Sequence, residues 1–348
     1  MRAITAVPGK PEQLQVGDFP DPTPAEGSVL VRGRLLGICG TDVDIVENGY
    51  GWLPPGGDRL VIGHESLGEV LEAPADSGLR PGDLVAGIVR HPDPVPCAPC
   101  AHGDWDFCAN GEYTERGIKA RNGFGAEIWR TEPEFAIRLD PALGDCGVLM
   151  EPASILAKAW EQIERIGARF PWEPSAVLVT GAGPIGLCAA LMGAQRGLDV
   201  HVLDRNGGGP KVELLRDLGA TFHTGDVRDI GLTPDIVVET TGHGPLVTEL
   251  GEVVARNAIV CLTGIASAAD TTTLNTNAIN KLMVLDNTVV FGSVNAARRH
   301  YEQAAASLAQ ADHSWLERMI TRRVAMAEYP TAVHKGPDDI KVVVDLRQ

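Results

Sequence analysis

Two short motifs in the first half of the chain carry side chains that commonly bind metal ions. Cys39 opens the sequence Cys-Gly-Thr-Asp, and His64 is followed directly by Glu65. A further carboxylate, Glu151, stands much later in Met-Glu-Pro. Thiolate, imidazole and carboxylate are ligands that Zn²⁺ prefers, and a catalytic zinc keeps one position for substrate. The motifs therefore predict a catalytic zinc bound by Cys39, His64 and either Glu65 or Glu151.

A hydroxyl also lies close to these residues in the sequence. Thr41 follows Cys39 by two positions, so we expect its side chain to relay the proton of a metal-bound alcohol. Each residue has a simpler explanation when taken alone, because buried cysteines act as small apolar residues and histidines occur in cores. The metal interpretation is preferred because the residues occur together, ahead of a nucleotide-binding motif.

That motif is a glycine-rich turn after a short apolar run at 176–180. In such a turn the first glycine permits the tight bend, the second lets the backbone approach a pyrophosphate, and the third allows close packing of helix on strand. An acidic residue that follows the next strand binds the adenosine ribose. The predicted cofactor residues here are Gly181, Gly183, Pro184, Ile185, Gly186 and Asp204.

The choice between NAD and NADP depends on charges near Asp204. Its carboxylate would repel a 2′-phosphate by about 4 kcal/mol at 4 Å near a surface. Arg205 and Lys211 could pair with that phosphate. We therefore expect NAD, with NADP use open, and we expect Thr263 and Ser293 to lie in the loops that hold the nicotinamide. The metal would polarise an alcohol whose hydride passes to the nicotinamide.

The order of predicted elements indicates two domains and a returning segment. Strand-like runs such as 29–38 and irregular loops fill the first 150 residues, with few helical patterns. Strands then alternate with helices, which indicates an α/β domain with a doubly wound parallel sheet. The predicted boundaries are 1–155, 156–295 and 296–348. Helices are expected at 296–308 and 314–322, and a strand at 341–346.

Composition excludes several classes of protein. The net charge of −16 disfavours nucleic acid and anionic membranes as partners, because both repel an acidic chain. No apolar run approaches the length of a membrane span, and the first residues do not resemble a secretion signal. Seven cysteines, an odd number, argue against a disulfide framework. We therefore expect a cytoplasmic protein.

The motifs at Cys39, His64-Glu65, Glu151-Pro152 and the glycine turn at 181–186, in this order, resemble those of the zinc-dependent medium-chain alcohol dehydrogenases. The resemblance covers the whole chain. Within that superfamily the chain is most similar to the glucose (aldose) 1-dehydrogenase group. The segments that carry this closer likeness are Glu115-Arg116-Gly117-Ile118, Phe291-Gly292-Ser293-Val294-Asn295-Ala296 and Arg299-His300-Tyr301.

The resemblance implies a GroES-like, β-rich catalytic domain, a Rossmann domain and a C-terminal segment that returns to the catalytic domain. It implies that Cys39, His64 and Glu65 can ligate zinc, with Glu151 as an alternating ligand or a substrate contact. It also implies that Glu115 and Asn295 hydrogen-bond sugar hydroxyls. The expected reaction is oxidation of an aldose at C1 to a lactone with NAD(P), by a dimer or tetramer.

The chain departs from the family pattern at a cysteine-rich lobe. Three of the family's four structural zinc ligands correspond to Cys97, Cys100 and Cys108, and the first falls on Pro94, which cannot ligate. Two interpretations stand. Either these thiols hold zinc with a fourth ligand from Asp93, His102 or Glu112, or the lobe carries three free thiols.

A second departure concerns the substrate. The residues after Glu151-Pro152 are Ala-Ser-Ile-Leu, where some sugar dehydrogenases of the group have an additional acidic residue. The identity of the sugar and the oxidised carbon therefore stay open. The alternatives are a dehydrogenase of a secondary alcohol on a polyol or sugar-derived intermediate, a zinc-free reductase of the same superfamily, and a non-catalytic nucleotide-binding protein.

Overall fold

A computed structural model describes residues 1–265 and 275–348 of the chain. The described chain divides into two compact units. One unit combines Met1–Ser154 with Asn295–Gln348, and the other is Ile155–Val294.

Short strands and loops dominate the first 154 residues. The strands alternate buried and exposed side chains or, where both faces are covered, remain buried throughout. Eleven strands are present in this part of the chain: β1 (Arg2–Val7), β2 (Lys10–Asp18), β3 (Val29–Gly37), β4 (Leu60–Val61), β5 (Glu65–Glu72), β6 (Leu84–Gly87), β7 (Arg90–His91), β8 (Thr114–Arg116), β9 (Ala120–Arg121), β10 (Ile128–Thr131) and β11 (Ala136–Arg138).

Helices in this region are short, apart from the one that ends it. They are α1 (Gly40–Asn48), α2 (Ala98–Ala101) and α3 (Met150–Gly167). Helix α1 begins after Cys39, whose backbone N–H donates to Asp42 Oδ2 at 2.9 Å. The glycine after the helix, Gly49, has a φ of 68°, a left-handed conformation that ends helices at low cost. The cysteine predicted to bind metal is therefore the N-cap of a helix.

The second unit alternates strands with helices. It contains β12 (Ala176–Thr180), β13 (Asp199–Leu203), β14 (Thr221–His223), β15 (Ile236–Glu239), β16 (Ile259–Leu262) and β17 (Val289–Gly292), with α4 (Pro184–Gln195), α5 (Pro210–Asp217), α6 (Gly244–Glu249) and α7 (Thr276–Leu285). All pairs are parallel, in the order β14-β13-β12-β15-β16-β17. The strand order reverses between β12 and β15, and ligands bind at such a switch point.

The C-terminal segment adds α8 (Arg298–Gln310), α9 (His313–Met319), β18 (Ile320–Ala325), α10 (Tyr329–Ala332) and β19 (Lys341–Asp345). The helix predicted at 314–322 was wrong in its second part, because β18 begins at Ile320. The sequence Ile-Thr-Arg-Arg-Val alternates in burial, and this period of two was overlooked. Single-turn 3₁₀ helices and one longer 3₁₀ stretch occupy Pro24–Glu26, Trp105–Phe107, Pro133–Phe135, Pro141–Leu149, Val227–Asp229, Leu250–Glu252 and Met326–Glu328.

The returning segment completes the sheet of the first unit. Strand β19 pairs antiparallel with β3 and parallel with β18, in the order β11-β6-β5-β3-β19-β18, and β10 also pairs with β3. Smaller sheets have the orders β2-β1-β4 and β7-β8-β9. One core cluster joins Leu36 and Ile62 to Tyr329 and Val344, so residues 295–348 are part of the first unit's core. Within the described residues, no helix is both long enough and apolar enough to cross a membrane.

Candidate active site

The first unit brings the predicted metal ligands together. Cys39 Sγ lies 3.0 Å from His64 Nε2, and one ligand atom from each of Cys39, His64 and Glu65 lies within 4.8 Å of the others. Cys39 is held by the first turn of α1, and the other two stand at the start of β5. The donor set of sulfur, imidazole nitrogen and carboxylate oxygen suits Zn²⁺.

Asp42 is the residue behind His64 that sequence reasoning passed over. It is fully buried, and its Oδ1 lies 3.9 Å from His64 Nδ1. Neither atom has a hydrogen-bond partner among the described residues. Burial raises the pKa of Asp42. A metal-bound imidazole usually donates its other N–H to a carboxylate, which fixes the ring. Asp42 is therefore placed to orient His64 toward a metal.

We expect Asp42→Asn to weaken zinc binding about 10- to 100-fold, since the amide keeps the shape but loses the acceptor charge facing His64. Competition against a chelator of known affinity measures the change. Asp44→Asn, on the exposed side of the same helix, is the matched control. Equal zinc affinity in the two variants would show that Asp42 does not support the ligand.

Glu65 has a buried partner from the returning segment. Lys341 Nζ lies 2.7 and 2.5 Å from the two carboxylate oxygens of Glu65, and both residues are 1% exposed. Nζ also donates to Ile38 O at 3.3 Å. A Cβ at Gly37 would overlap Glu65 Oε2, so glycine is required beside this pair. The 276 positions between the partners explain why the sequence alone did not indicate the pair.

Glu151 and Thr41 lie at the edge of this cluster. Burial raises the pKa of Glu151 to about 7; the charge of His64 opposes the shift and that of Glu65 adds to it. Both predicted ligands therefore act on Glu151 through their charges, although among the described residues Glu151 does not belong to the cluster of ligand atoms within 4.8 Å of one another. The backbone N–H of Thr41 donates to Cys39 Sγ at 3.3 Å, and the proton-relay role of its hydroxyl stays a prediction. Ser154, in the segment after Glu151-Pro152 that departs from the family pattern, is buried and donates to Glu151 O at 2.7 Å.

The two predicted sugar contacts touch each other. Asn295 Nδ2 donates to Glu115 Oε1 at 2.8 Å. Arg90, which sequence reasoning missed, donates to the same oxygen through Nε and Nη2 at 3.0 and 2.9 Å. All three are at least nine-tenths buried. Asn295 has a φ of 60°, a left-handed conformation that asparagine tolerates better than most residues. A charged, bidentate donor thus fixes the carboxylate predicted to bind hydroxyls.

His91 lies next to Arg90, is 2% exposed and stacks 3.8 Å from the Phe135 ring. Burial lowers its pKa well below the ordinary value, and the charges of Arg116 and Arg121 lower it further. The folded protein therefore keeps His91 neutral. In the unfolded chain histidine takes up a proton below pH about 6.5. The contribution of His91 to the free energy of unfolding is therefore fully present above pH about 6.5. It decreases as the pH falls below this value, because the unfolded state then binds more protons than the folded state.

We expect the free energy of unfolding to decrease by about 1 kcal/mol from pH 6.5 to 5.5 through His91, and this part of the slope to vanish in His91→Leu. Urea unfolding at several pH values measures how the free energy of unfolding depends on pH. This slope is not affected by packing energy that His91→Leu loses equally at every pH. His334→Gln, whose side chain is 70% exposed, serves as control. A wild-type slope that persists in His91→Leu would contradict the assignment.

The three cysteines of the lobe also converge. Their sulfur atoms form a second cluster within 4.8 Å, with Cys97 Sγ and Cys108 Sγ 3.9 Å apart. None of the proposed fourth ligands joins them. Asp93 accepts from Val95 N and Asn110 Nδ2 at 2.8 and 2.7 Å. His102 is exposed and bonds to Ala98 O, and Glu112 is exposed.

The glycines of the second unit form the expected turn. Gly181 has a φ of 92°, and a Cβ at Gly186 would overlap the carbonyl oxygen of Gly181. Gly183 is the N-cap of α4, Pro184 opens the helix and Ile185 follows it. A Cβ at Gly183 would meet nothing within 4 Å. The backbone at this helix N-terminus is therefore open to a phosphate group, which suits a dinucleotide.

Asp204 follows the last residue of β13 and is held by two backbone groups. Its Oδ2 accepts from Ala182 N at 2.7 Å and its Oδ1 from Asn206 N at 3.0 Å. Arg205 beside it is exposed. The carboxylate thus stands directly over the glycine turn, where the ribose of a bound dinucleotide lies.

Glu239 is a buried carboxylate at the end of β15 that sequence reasoning missed. It accepts from Thr241 N and Gly242 N at 2.7 and 3.1 Å, and so shapes the loop facing Gly181. Thr263 is fixed by its hydroxyl, which donates to Glu239 O at 2.8 Å. The Ser293 hydroxyl has no partner among the described residues and is buried, so it can serve a ligand.

Comparisons with known proteins agree with this architecture. Residues 25–141 match the alcohol dehydrogenase GroES-like domain, and residues 144–346 match the glucose dehydrogenase C-terminus. The glucose 1-dehydrogenase of Methanocella arvoryzae is 36% identical over 99% of both chains. That of Thermoproteus tenax is 35% identical over 100% of both chains. The glucose dehydrogenase of Haloferax mediterranei, solved with NADP, zinc and gluconolactone, is 29% identical, with a TM-score of 0.91 and 99% coverage of both chains.

A GroES-like unit with a thiolate–imidazole–carboxylate cluster, joined to a Rossmann unit, defines a zinc-dependent medium-chain dehydrogenase that oxidises CH–OH groups with NAD(P). Within that superfamily, the chain belongs to the glucose dehydrogenase family. The predicted fold class, enzyme class and family are confirmed. The comparisons favour this class over a zinc-free reductase and over a non-catalytic nucleotide-binding protein.

Proposed function

We propose that the protein oxidises D-glucose at C1 to the lactone with reduction of NAD(P). The observation that carries the proposal is the buried Arg90–Glu115–Asn295 cluster, in the same unit as the metal-binding residues. A site built to bond sugar hydroxyls rejects substrates that lack them, because its buried polar groups would remain unpaired. Relatives named glucose 1-dehydrogenase over the full chain support this choice.

We propose that Cys39, His64 and Glu65 hold the catalytic zinc, with Glu151 as a fourth ligand or a contact to substrate. When bound, zinc supplies Lewis acidity toward the substrate hydroxyl oxygen, and the nicotinamide accepts hydride. Asp42 holds the imidazole, Lys341 neutralises Glu65, and the Thr41 hydroxyl relays the proton of the substrate hydroxyl outward to solvent water. We also propose a second zinc site at Cys97, Cys100 and Cys108.

The sugar contacts follow from charge and geometry. Glu115 accepts hydrogen bonds from sugar hydroxyls, while Arg90 keeps its carboxylate in one orientation. Asn295 offers an amide to a neighbouring hydroxyl. Since the segment after Glu151-Pro152 lacks the additional acidic residue that some sugar dehydrogenases of the group have there, we propose a tolerance for aldoses that differ from glucose at one hydroxyl.

A substrate panel tests the proposal. Glucose, galactose, xylose, sorbitol and 2-propanol are assayed with NAD and NADP, and the product is identified by lactone-specific hydroxamate formation. We expect aldoses to have the highest kcat/KM and to give lactone. Sorbitol or 2-propanol as the best substrate, with a ketone product, would replace this proposal by a secondary-alcohol dehydrogenase.

We propose NAD as the preferred cofactor and NADP as a usable one. The carboxylate of Asp204 opposes a 2′-phosphate, whereas the exposed Arg205 and the nearby Lys211 can pair with it. The Haloferax mediterranei relative was solved with NADP.

We expect Asp204→Ala to shift the ratio of kcat/KM for NADP over NAD upward about 10-fold or more, since loss of a like charge near a surface removes more than about 1.4 kcal/mol of repulsion. Steady-state kinetics with both cofactors measure the ratio. Asp199→Ala, at the other end of β13, is the matched control. An unchanged ratio in Asp204→Ala would refute the role of Asp204.

The assembly and compartment of the protein are also proposals. Strand β17 ends the parallel sheet of the second unit, and Val290 on it is 41% exposed. No further strand pairs with β17 among residues 1–265 and 275–348, and an open edge of this kind can pair with a second chain. We therefore propose a homo-oligomer, which sedimentation at several concentrations tests. The thiol form of all seven cysteines is consistent with the reducing cytoplasm that we propose as its location.

A further inference from the structure

The three-thiol lobe, defined by Cys97, Cys100, Cys108 and the chain between them, has the spacing of a metal site. A tetrahedral metal with S–metal bonds of about 2.3 Å places its sulfurs roughly 3.8 Å apart. Cys97 Sγ and Cys108 Sγ are 3.9 Å apart, whereas a disulfide requires about 2.05 Å. Backbone N–H groups also donate to Cys97 Sγ, including that of Ala109 at 3.4 Å. The spacing of the three sulfurs therefore suits a cation held by thiolates.

The fourth position of this site has no protein ligand among the described residues. Both oxygens of Asp93 are used by Val95 N and Asn110 Nδ2, and Pro94 has no donor atom. A metal bound by three thiolates keeps an exchangeable position, as in sites that are not closed. Its occupancy can therefore change with conditions, unlike that of a closed four-thiolate site.

One set of contacts joins the lobe to Glu115. Arg90 Nη1 donates to Asp106 O at 3.3 Å, two residues before Cys108, while its Nε and Nη2 hold Glu115. The same guanidinium lies 3.8 Å from the centre of the Tyr113 ring, on the other side of Cys108. The position of Arg90 thus depends on the chain that enters and leaves Cys108.

A second set joins the lobe to Asn295. Asp104, between Cys100 and Cys108, forms an ion pair with Arg299 in the first turn of α8. The carboxylate of Asp106 lies 3.9 Å from His300 Nδ1, and both side chains are fully buried. These helix residues follow Asn295 by four and five positions. Both members of the sugar-contact pair are therefore anchored on one short segment, 104–106, inside the lobe.

We propose that metal binding at the three-thiol lobe raises the affinity of the enzyme for its sugar, by fixing segment 104–106 and through it Glu115 and Asn295. This inference rests on the proposed sugar-contact role of those two residues. A metal that joins Cys97, Cys100 and Cys108 removes conformational freedom from the segment, so less ordering remains when sugar binds. By linkage, bound sugar strengthens metal binding at the lobe by the same factor.

The test compares the wild-type holoenzyme with Cys97→Ser/Cys108→Ser, and uses Cys146→Ala, a buried cysteine of the same unit, as control. Metal content by mass spectrometry, glucose dissociation constants by calorimetry and kcat are measured. We expect the double variant to lose one of two zinc ions and to bind glucose about 5-fold more weakly, with kcat within about 2-fold. Asp104→Asn, which leaves every thiol in place, should keep both zinc ions and weaken glucose binding as well.

Hydrogen exchange separates this inference from the proposed function. We expect faster amide exchange at residues 114–116 and 295–300 in the double variant than in wild type, without any sugar present. Unchanged exchange there, or one zinc ion in wild type, overturns the inference even if glucose is the substrate. Absence of aldose oxidation by wild type, with the exchange effect intact, instead overturns the proposed substrate and supports the link between the lobe and the pair.

Discussion

Lys341→Met is expected to lower the free energy of unfolding by about 3–5 kcal/mol, because it leaves the buried carboxylate of Glu65 without its counter-ion. Both side chains are 1% exposed, and Lys341 Nζ contacts both oxygens of Glu65 at 2.7 and 2.5 Å. Water cannot replace the ammonium there without displacing the core around it. Chemical denaturation followed by circular dichroism measures the loss.

A double variant isolates the charge from the packing. Glu65→Gln/Lys341→Met removes both charges and should recover more than half of the loss, since replacing both members of a buried ion pair is far less costly than removing one. Lys10→Met, an exposed lysine on β2, should change stability by less than about 0.5 kcal/mol. A single variant as stable as the double variant would mean that the pair contributes little.

The same variant tells whether Glu65 is a metal ligand. A bound zinc supplies a second cation to the carboxylate, so the loss caused by Lys341→Met should be smaller in zinc-loaded than in zinc-free protein. Equal losses in the two forms would assign the metal to Cys39, His64 and Glu151 without Glu65. Unfolding of both forms, with zinc content verified, measures the difference.

Cys39→Ser should lower kcat/KM for the best aldose about 1,000-fold or more. Loss of the Lewis acid removes several kcal/mol of transition-state stabilisation, at about 1.4 kcal/mol per factor of ten. Serine is chosen because Cys39 is the N-cap of α1 and serine caps helices well, while a neutral hydroxyl is not among the ligands that zinc prefers. The helix is thus preserved and the metal ligand is lost.

Three measurements are made on this variant: steady-state kinetics, zinc content and unfolding. Zinc content should decrease by one ion per chain, and the stability of the zinc-free variant should differ little from that of zinc-free wild type. Cys146→Ala, which changes a buried cysteine of the same unit, should keep zinc and lose less than about 3-fold in kcat/KM. Full activity of Cys39→Ser, or zinc retained with activity lost, would refute metal ligation by this thiol.

The sequence predicted the second unit closely because its strands are buried on both faces. Parallel strands of this kind appear as short continuous apolar runs between turn residues. The strand predicted at 176–180 is β12 to the residue, and the glycine turn follows it as expected. The elements of the first unit were predicted less accurately, since its short strands and loops give weak periodic patterns. For that reason helix α1 was missed, and the start of strand β18 was assigned to a helix.

The residue types that we propose for the chemistry were predicted from the sequence alone. A cysteine, a histidine and carboxylates in short motifs indicate a metal, and a glycine turn after an apolar strand indicates a dinucleotide, because each depends on local spacing. The buried partners that hold these side chains were decided only by the tertiary structure. Lys341 meets Glu65 because β19 lies beside β3, and Asn295 meets Glu115 across 180 positions. Such pairs carry no local pattern, since their energy arises from burying two groups together after the sheet has formed.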